Sequence, residues 1–243
     1  MHEKLFLGNS KGKGIVKKGV CIMGLAELAT APVLAGLFYL YIRDKYEKEP
    51  YAMLFLGVIF GIYTAFVVSG VGRFLEWLLP HRETPFYTAF FSSALIEEGI
   101  KLFFLYGLIF HNSNFNEPFD GIVYAVFVSL GFAWVENLVY VMNPVMGGWG
   151  TGISRAVLSV PGHGLFGIQM GYYLADFRFG KGKKSLWMAF LIPYLYHSFY
   201  NYFLLRKERF FDIPFLLLEI FLWLDSFRKM YRHARNSPFR SME

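Results

Sequence analysis

The chain has 243 residues, of which 55% are hydrophobic and 17% charged, with a formal net charge of +6. This composition argues against a water-soluble globular domain. Lysine and arginine gather in the tails and in short connections between apolar runs, as cations that flank membrane spans do, so we expect a lipid bilayer and no nucleic acid as partner. The single cysteine, Cys21, excludes a disulfide framework or a cysteine-based metal site within one chain.

Apolar runs taken in chain order predict an all-α, polytopic integral membrane helix bundle with about seven transmembrane helices in one domain. The predicted spans are 20–42, 51–71, 86–110, 122–142, 153–175, 186–205 and 210–227. A basic tail is predicted at 1–19, the membrane domain at 20–227, and a second basic tail at 228–243. We also predict an interfacial turn of helix at 72–80 and a capping role for Asp120 at the start of the fourth helix.

The third predicted span carries two adjacent carboxylates, Glu97 and Glu98, near its middle. One acidic residue at the centre of a membrane helix costs roughly 2.5–3.5 kcal/mol, so an acid kept at that depth indicates a functional site. Lys101 lies four residues after Glu97 and shares its helix face, where it would neutralise the site or hold one carboxylate ionised. Glu98 points about 100° away and either lines the same cavity or supports it from behind.

The next three spans carry polar groups of their own: Glu136 with Asn137, then His163, then His197 with Asn201. Counted along the helices from one common face, the first carboxylate of the third span, Glu136 and the two histidines lie about 9 to 16 Å deep. Helix ends are uncertain by about 5 Å, so these groups fall in one layer. The sequence therefore predicts a single polar site between the third and sixth helices.

Three kinds of chemistry fit carboxylates and imidazoles in a low-dielectric cavity. A buried glutamate can activate water while asparagine and histidine donate to the oxyanion of a tetrahedral intermediate. A zinc ion could instead be held, with Glu97, Glu136, His163 and His197 as candidate ligands. Proton or ion transport through an acid and histidine relay is the third use, and any single buried histidine or glutamate could be purely structural. The residues alone leave these readings open.

Several motifs occur in order along most of the chain. They are Arg43-Asp44-x-Tyr46-Glu47-x-Glu49-Pro50, Glu97-Glu98-x-x-Lys101, Asp120-Gly121-Ile122-Val123-Tyr124, Gly131-Phe132-Ala133-x-x-Glu136-Asn137-x-x-Tyr140, Arg155 with His163, and His197. With these motifs the chain resembles the PrsW family of intramembrane proteases, which is distantly related to type II CAAX prenyl endopeptidases. Family members often carry aspartate where this chain has Asn201, whereas the wider superfamily commonly shows His-x-x-x-Asn. The change therefore favours a hydrogen-bond donor there over an obligatory carboxylate ligand.

The resemblance implies endoproteolysis of a single-pass membrane protein in the cytoplasmic membrane. The substrate class it implies is a membrane-anchored anti-sigma factor, cut at a first site in an envelope-stress response. A proton-coupled or ion-coupled transporter that uses the same buried cluster is the alternative from another class, and a binding member without the chemistry is a third possibility.

The residue roles follow as a hypothesis in which one glutamate activates water. Glu97 is that base, while Glu98 and Lys101 tune its charge. Glu136, Asn137 and His163 complete the polar cavity, and His197 with Asn201 stabilises the oxyanion. No His-Glu-x-x-His helix is present, so the sequence favours a mechanism without a cofactor and leaves Zn²⁺ possible.

Overall fold

The regular structure of the described residues is helical throughout, as the sequence predicts. A computed structural model describes residues 10–78, 84–206 and 208–242. The helices are α1 (Ser10–Arg43), α2 (Tyr51–Leu78), α3 (Pro85–Tyr87), α4 (Leu95–Phe104), α5 (Pro118–Val141), α6 (Trp149–Val157), α7 (Ser159–Arg178), α8 (Lys183–Leu205) and α9 (Asp212–Arg235). Two π-helical segments, Thr88–Ala94 and Leu105–Ile109, make the chain continuously helical from Pro85 to Ile109, one residue before the third predicted span ends.

Several helices run further than their apolar stretches. Helix α1 begins at Ser10, inside the predicted tail, of which residues 1–9 lie outside the described residues. Helix α2 continues unbroken to Leu78, where the sequence predicts a separate interfacial turn from residue 72. Helix α9 reaches Arg235, inside the predicted basic tail. Hydropathy marks only the apolar part of a helix, because charged residues continue the same backbone hydrogen bonding beyond it.

The fifth predicted span is two helices rather than one. Helix α6 ends at Val157, Leu158 has φ −110° and ψ −65°, and α7 starts at Ser159. The cause is Pro161, which has no N–H for the carbonyl of Val157 and whose ring conflicts with that carbonyl. Proline is tolerated at this place because it falls in the first turn of α7.

Helix α5 is the central element and is buried along most of its length. Its backbone lies close to two neighbours: a Cβ on Gly171 of α7 would lie 2.1 Å from the carbonyl oxygen of Gly121, and one on Gly61 of α2 would lie 2.1 Å from that of Val128. No side chain fits at such distances, so glycine is required at these contacts. Close packing fixes α5 between α2 and α7.

The start of α5 corrects the predicted cap. The helix begins at Pro118, with Glu117 as its N-cap residue and Asp120 at the third helical position. Asp120 Oδ2 accepts hydrogen bonds from the backbone N–H groups of Glu117 at 2.7 Å and Asn116 at 2.8 Å. Asp120 thus stabilises the helix start as the reciprocal partner of a capping box, not as the N-cap residue itself.

The outer surface of the bundle is apolar. Large side chains such as Phe38, Phe55, Phe66 and Phe103 are each more than 60% exposed. In the described part of the chain, three helical stretches are long and apolar enough to cross a membrane by length and composition: Ile22–Arg43, Tyr51–Leu78 and Pro118–Val141. An exposed surface of this kind suits lipid rather than water, so the protein has the character of a membrane protein.

Candidate active site

Polar side chains from α4, α5, α7 and α8 meet inside the bundle. Glu97 and Glu98 come from the first turn of α4, and Lys101 follows one turn later. His163 comes from α7 and His197 from α8, and all five residues are buried. The two imidazole rings lie edge to face with their centroids 5.3 Å apart. Groups more than 90 residues apart in sequence thus share one buried volume.

Glu98 and Lys101 form the innermost ion pair of this site, and both are 0% exposed. Lys101 Nζ lies 2.8 Å from Glu98 Oε1 and 3.3 Å from His163 Nδ1, but 3.9 Å from Glu97 Oε2. Glu98 Oε1 also lies 2.9 Å from His197 Nδ1. The lysine therefore pairs chiefly with Glu98, three residues away, and only loosely with Glu97, the partner that helical spacing suggested.

Only one of the two carboxylate oxygens of Glu97 takes part in a hydrogen bond with another described residue. Ser93 Oγ donates to Glu97 Oε1 at 2.8 Å, and Ser93 in turn accepts from Asn201 Nδ2 at 2.9 Å. Glu97 Oε2 is buried without a hydrogen-bond partner among the described residues. It lies 3.8 Å from His197 Nε2. Ser93 belongs to the π-helical segment before α4, and such segments are frequent at functional sites.

Glu136 reaches the site through His163 rather than directly. Glu136 Oε2 lies 2.9 Å from His163 Nε2 and accepts from Arg155 Nη2 at 2.7 Å. Arg155 comes from α6, and its Nε donates to Asn137 Oδ1 at 3.0 Å. Asn137 Nδ2 donates to the carbonyl of Ala29 at 2.8 Å, which ties this side of the site to α1. Asn137 therefore acts as a bridge between helices.

The hydrogen-bond partners assign the tautomers of both histidines. Lys101 has only hydrogens to offer, so His163 Nδ1 accepts and His163 Nε2 donates to Glu136. His197 Nδ1 faces the carboxylate of Glu98 and donates, so His197 Nε2 accepts from Asn201 Nδ2 at 3.0 Å. Each imidazole is thus oriented by a carboxylate behind it and turns an acceptor nitrogen towards the middle of the site.

One group of side chains in the described part of the chain has the spacing of a metal site. Glu97, Glu98, His163 and His197 each offer a ligand atom, and these atoms lie within 4.8 Å of one another. The set proposed from the sequence differs by one member, because Glu136 is engaged behind His163 and Glu98 stands in its place. Imidazole nitrogens and carboxylate oxygens are ligands that zinc accepts.

All eight candidate residues named from the sequence lie in or beside this network, while two further participants do not follow from the sequence argument. Ser93 lies four residues before Glu97 on the same helix face, so helical spacing is a signal that could have found it. Arg155 appears within the motifs, but its contact with Glu136 across 19 residues of sequence is visible only in the structure.

Comparisons with known proteins bear directly on this arrangement. The family model described as "PrsW family intramembrane metalloprotease" matches residues 49–224, which include every residue of the site. The chain belongs to the PrsW family. As a member of that family of proteases it is a membrane protease, a hydrolase, as the sequence motifs indicate. The family description as a metalloprotease also favours the zinc alternative over the cofactor-free preference drawn from the sequence.

Relatives in the PrsW family match over most of their length. A protein named Protease PrsW from Geobacillus kaustophilus is 36% identical over 214 residues, which cover 86% of this chain and 92% of that protein. Protease PrsW of Clostridioides difficile is 32% identical, covering 90% of this chain and 97% of that protein. The Bacillus subtilis protein of the same name is 34% identical, covering 86% and 94% respectively. No solved structure matches this chain.

Proposed function

We propose that this protein hydrolyses a peptide bond of a single-pass membrane protein within the bilayer, and that Glu97 takes the proton of the attacking water. The free oxygen of Glu97 carries the proposal. Oε2 is buried and has no hydrogen-bond partner among the described residues, with Lys101 Nζ and His197 Nε2 at 3.9 and 3.8 Å, while Ser93 fixes Oε1. General-base catalysis requires such a carboxylate oxygen, oriented and within reach of a water molecule.

The adjacent Glu98 has a different role, although its Oε2 is likewise buried without a hydrogen-bond partner among the described residues, because its side chain is 0% exposed and its Oε1 already serves two groups. One of its oxygens is shared between Lys101 Nζ and His197 Nδ1, at 2.8 and 2.9 Å. It orients the histidine and balances the buried lysine, so we assign it as a positioning residue. In this proposal Glu97 transfers the proton, and Glu98 positions His197 and neutralises Lys101.

Oxyanion stabilisation falls to Lys101 in this proposal rather than to Asn201. Both amide hydrogens of Asn201 already donate, to Ser93 Oγ at 2.9 Å and His197 Nε2 at 3.0 Å. Lys101 has three hydrogens, of which Glu98 and His163 use two, and its Nζ lies 3.9 Å from Glu97 Oε2, beside which we place the substrate carbonyl. A fixed ammonium in a buried site stabilises the charge that develops on a carbonyl oxygen. Asn201 then positions Ser93 and His197.

The site also fits a zinc ion. The acceptor nitrogens of His163 and His197 and Oε2 of Glu97 would hold it, with Glu98 and Glu136 orienting the two imidazoles. In that form Glu97 would be a ligand and not the base, so the zinc form is an alternative to the mechanism above. When bound, zinc acts as a Lewis acid that polarises a carbonyl and makes water a stronger acid. Metal content is measurable apart from activity: we expect about one zinc per purified chain, and much less in His163→Gln, which keeps the hydrogen bond to Glu136.

We propose that the protein lies in the cytoplasmic membrane and crosses it about seven times. Its substrate class is a membrane-anchored anti-sigma factor, cut at a first site during envelope stress. Membership of the PrsW family supports this setting, together with the apolar outer surface of the bundle. The buried position of the site supports a substrate that is itself in the membrane.

Cleavage in proteoliposomes tests the proposal. Wild type, Glu97→Gln and the matched control Glu76→Gln, an exposed glutamate near the end of α2, are each reconstituted with a single-span candidate regulator. We expect cleavage by wild type and control, and a rate at least about a hundredfold lower for Glu97→Gln, the usual contribution of a general base. Equal cleavage by Glu97→Gln would remove Glu97 from the mechanism. Proton flux without cleavage by wild type would favour the transporter alternative instead.

A further inference from the structure

A basic pocket lies where α9 emerges from the apolar part of the bundle. It has a volume of about 630 Å³ and is lined by arginines 228, 232, 235 and 240, by Lys181, and by Tyr172, Tyr231 and Asn236. We propose that this pocket, which we call the basic pocket, binds the phosphate headgroup of an anionic phospholipid. The inference depends on the protein lying in a membrane and not on its proteolytic chemistry.

The position along α9 sets the level of the pocket in the bilayer. The exposed side of the helix is apolar from Ile213 to Phe227, with Trp223 near its end. From Arg228 onwards the same exposed side is basic, while Leu222, Met230 and their neighbours pack against the bundle. A change from apolar to cationic within one residue marks the boundary between hydrocarbon and headgroups. The basic pocket therefore lies at headgroup level.

The charge of the basic pocket is not used up within the protein. Arg228 and Arg232 are exposed and make no hydrogen bond or ion pair with another described residue. Asp176 is the acid beside the pocket, and its Oδ1 already lies 2.7 Å from Lys181 Nζ and 3.1 Å from His233 Nε2. The nearby Asp225 pairs with Lys229 at 2.7 Å. Arginines held in excess in a concave site are complementary to a phosphate group.

Three parts of the chain build the basic pocket. Arg228, Arg232 and Arg235 project from the last turns of α9, Lys181 comes from the connection between α7 and α8, and Arg240 comes from the segment after α9. Arg240 Nη1 donates to the carbonyl of Arg235 at 3.5 Å, which folds that segment over the end of the helix. Cationic pockets between membrane helices are recognised sites for anionic headgroups. A flat basic surface would attract such lipids without selecting a place for them.

Native mass spectrometry of the full-length protein with phosphatidylglycerol or phosphatidylcholine of the same acyl chains tests the proposal. We expect wild type to retain phosphatidylglycerol and to release phosphatidylcholine. The double variant Arg228→Gln/Arg232→Gln should bind phosphatidylglycerol roughly 25-fold more weakly, since each arginine that reaches the bound headgroup contributes about fivefold. The matched control is Lys183→Gln/Lys184→Gln, which removes the same charge from exposed positions outside the basic pocket, and it should change binding less than threefold.

Three outcomes overturn the proposal. They are equal losses in the two double variants, equal retention of both lipids by wild type, and displacement of the lipid by inorganic phosphate at the concentration at which the lipid binds. The last result would assign the basic pocket to a free phosphate compound. If the double variant proves unstable in detergent, Arg232→Gln and Arg232→Lys carry the same test, and the lysine variant is expected to keep most of the binding.

Discussion

Two groups of buried charged residues lie near opposite ends of α5. Counted along the helix from Asp120 to Glu136 they are about 24 Å apart, and their charges are neutralised in different ways. At the end of α5, the carboxylates of Glu98 and Glu136 are paired with Lys101 and Arg155 at 2.8 and 2.7 Å. At its start, an acidic cluster is formed by residues from the α1–α2 connection and from the helix cap. Its members are Asp44, Glu47, Glu49, Glu117 and Asp120. The candidate active site contains fixed cations, whereas the acidic cluster accepts hydrogen bonds from Tyr124 and from backbone N–H groups.

The carboxylates of the acidic cluster are stabilised by uncharged hydrogen-bond donors and by protonation. Tyr124 donates to Glu49 Oε2, and the backbone N–H of Glu49 donates to Asp44 Oδ2 at 3.3 Å. Buried oxygens of Asp44 and Glu117 have no hydrogen-bond partner among the described residues. Burial raises the pKa of Asp44 to about 7 and that of Glu117 to about 7. The comparison indicates that the candidate active site keeps fixed charges, while Asp44 and Glu117 of the acidic cluster titrate near neutral pH.

The largest effect is expected from removing the cation of the candidate active site. Lys101→Met leaves Glu98 buried without its ion-pair partner, and breaking such a pair costs about 3–5 kcal/mol of unfolding free energy. Thermal unfolding in detergent measures the loss. Lys101→Met/Glu98→Gln should recover much of it, because residue 98 then carries no unpaired charge and Glu97 had only a loose contact with Lys101, at 3.9 Å. The matched control is Lys181→Met, whose lysine is 53% exposed beside Asp176 and should cost under about 1 kcal/mol. A loss no greater than in this control would contradict the comparison.

The acidic cluster should respond to pH instead. The folded state holds the Asp44 pKa at about 7, above its ordinary value of 3.8. The stability that this group contributes is therefore full below about pH 4, declines as pH rises towards 7, and is lost above it. Asp44→Asn should flatten this dependence and stabilise the protein by about 1–2 kcal/mol at pH 8. Unfolding midpoints between pH 5 and pH 8 measure it.

The control for this pH experiment must be a carboxylate that does not affect the pKa of Asp44. Lys48 lowers its pKa, whereas Glu49 and Glu47 raise it, and Glu117 faces it from the start of α5. Glu208→Gln removes an exposed carboxylate far along the chain and should leave the slope unchanged. If the unfolding midpoints of wild type and Asp44→Asn change equally with pH, protonation of Asp44 does not stabilise the folded protein.

The sequence predicts the members of the candidate active site better than their pairings. Depth along each helix is enough to bring Glu97, His163 and His197 into one layer, because a helix has a fixed rise per residue. It does not decide which glutamate pairs with Lys101, since residues three and four apart both lie near it. The acidic cluster is still harder to predict from the sequence. Glu49 and Asp120 meet only because α5 packs against α2, a contact set by glycines whose role is visible only in three dimensions.

The smallest effect is expected where the candidate active site depends on a neutral hydrogen bond rather than on charge. Ser93→Ala frees Glu97 Oε1 and removes the acceptor of Asn201, contacts of 2.8 and 2.9 Å. A hydrogen bond of this kind contributes about 1 kcal/mol, so kcat should fall roughly three- to tenfold. KM should stay within about twofold, because Ser93 orients the base and does not bind substrate.

The neighbouring serine supplies the control for Ser93. Ser92→Ala removes a hydroxyl of the same segment and should leave kcat unchanged, while Ser93→Thr keeps the hydroxyl and should restore most of the rate. Equal losses in the two alanine variants would mean that the helical segment, and not the bond to Glu97, is disturbed. An unchanged rate in Ser93→Ala would mean that Glu97 needs no neutral support. The distinction between its two oxygens, on which its assignment as the base depends, would then lose its physical cause.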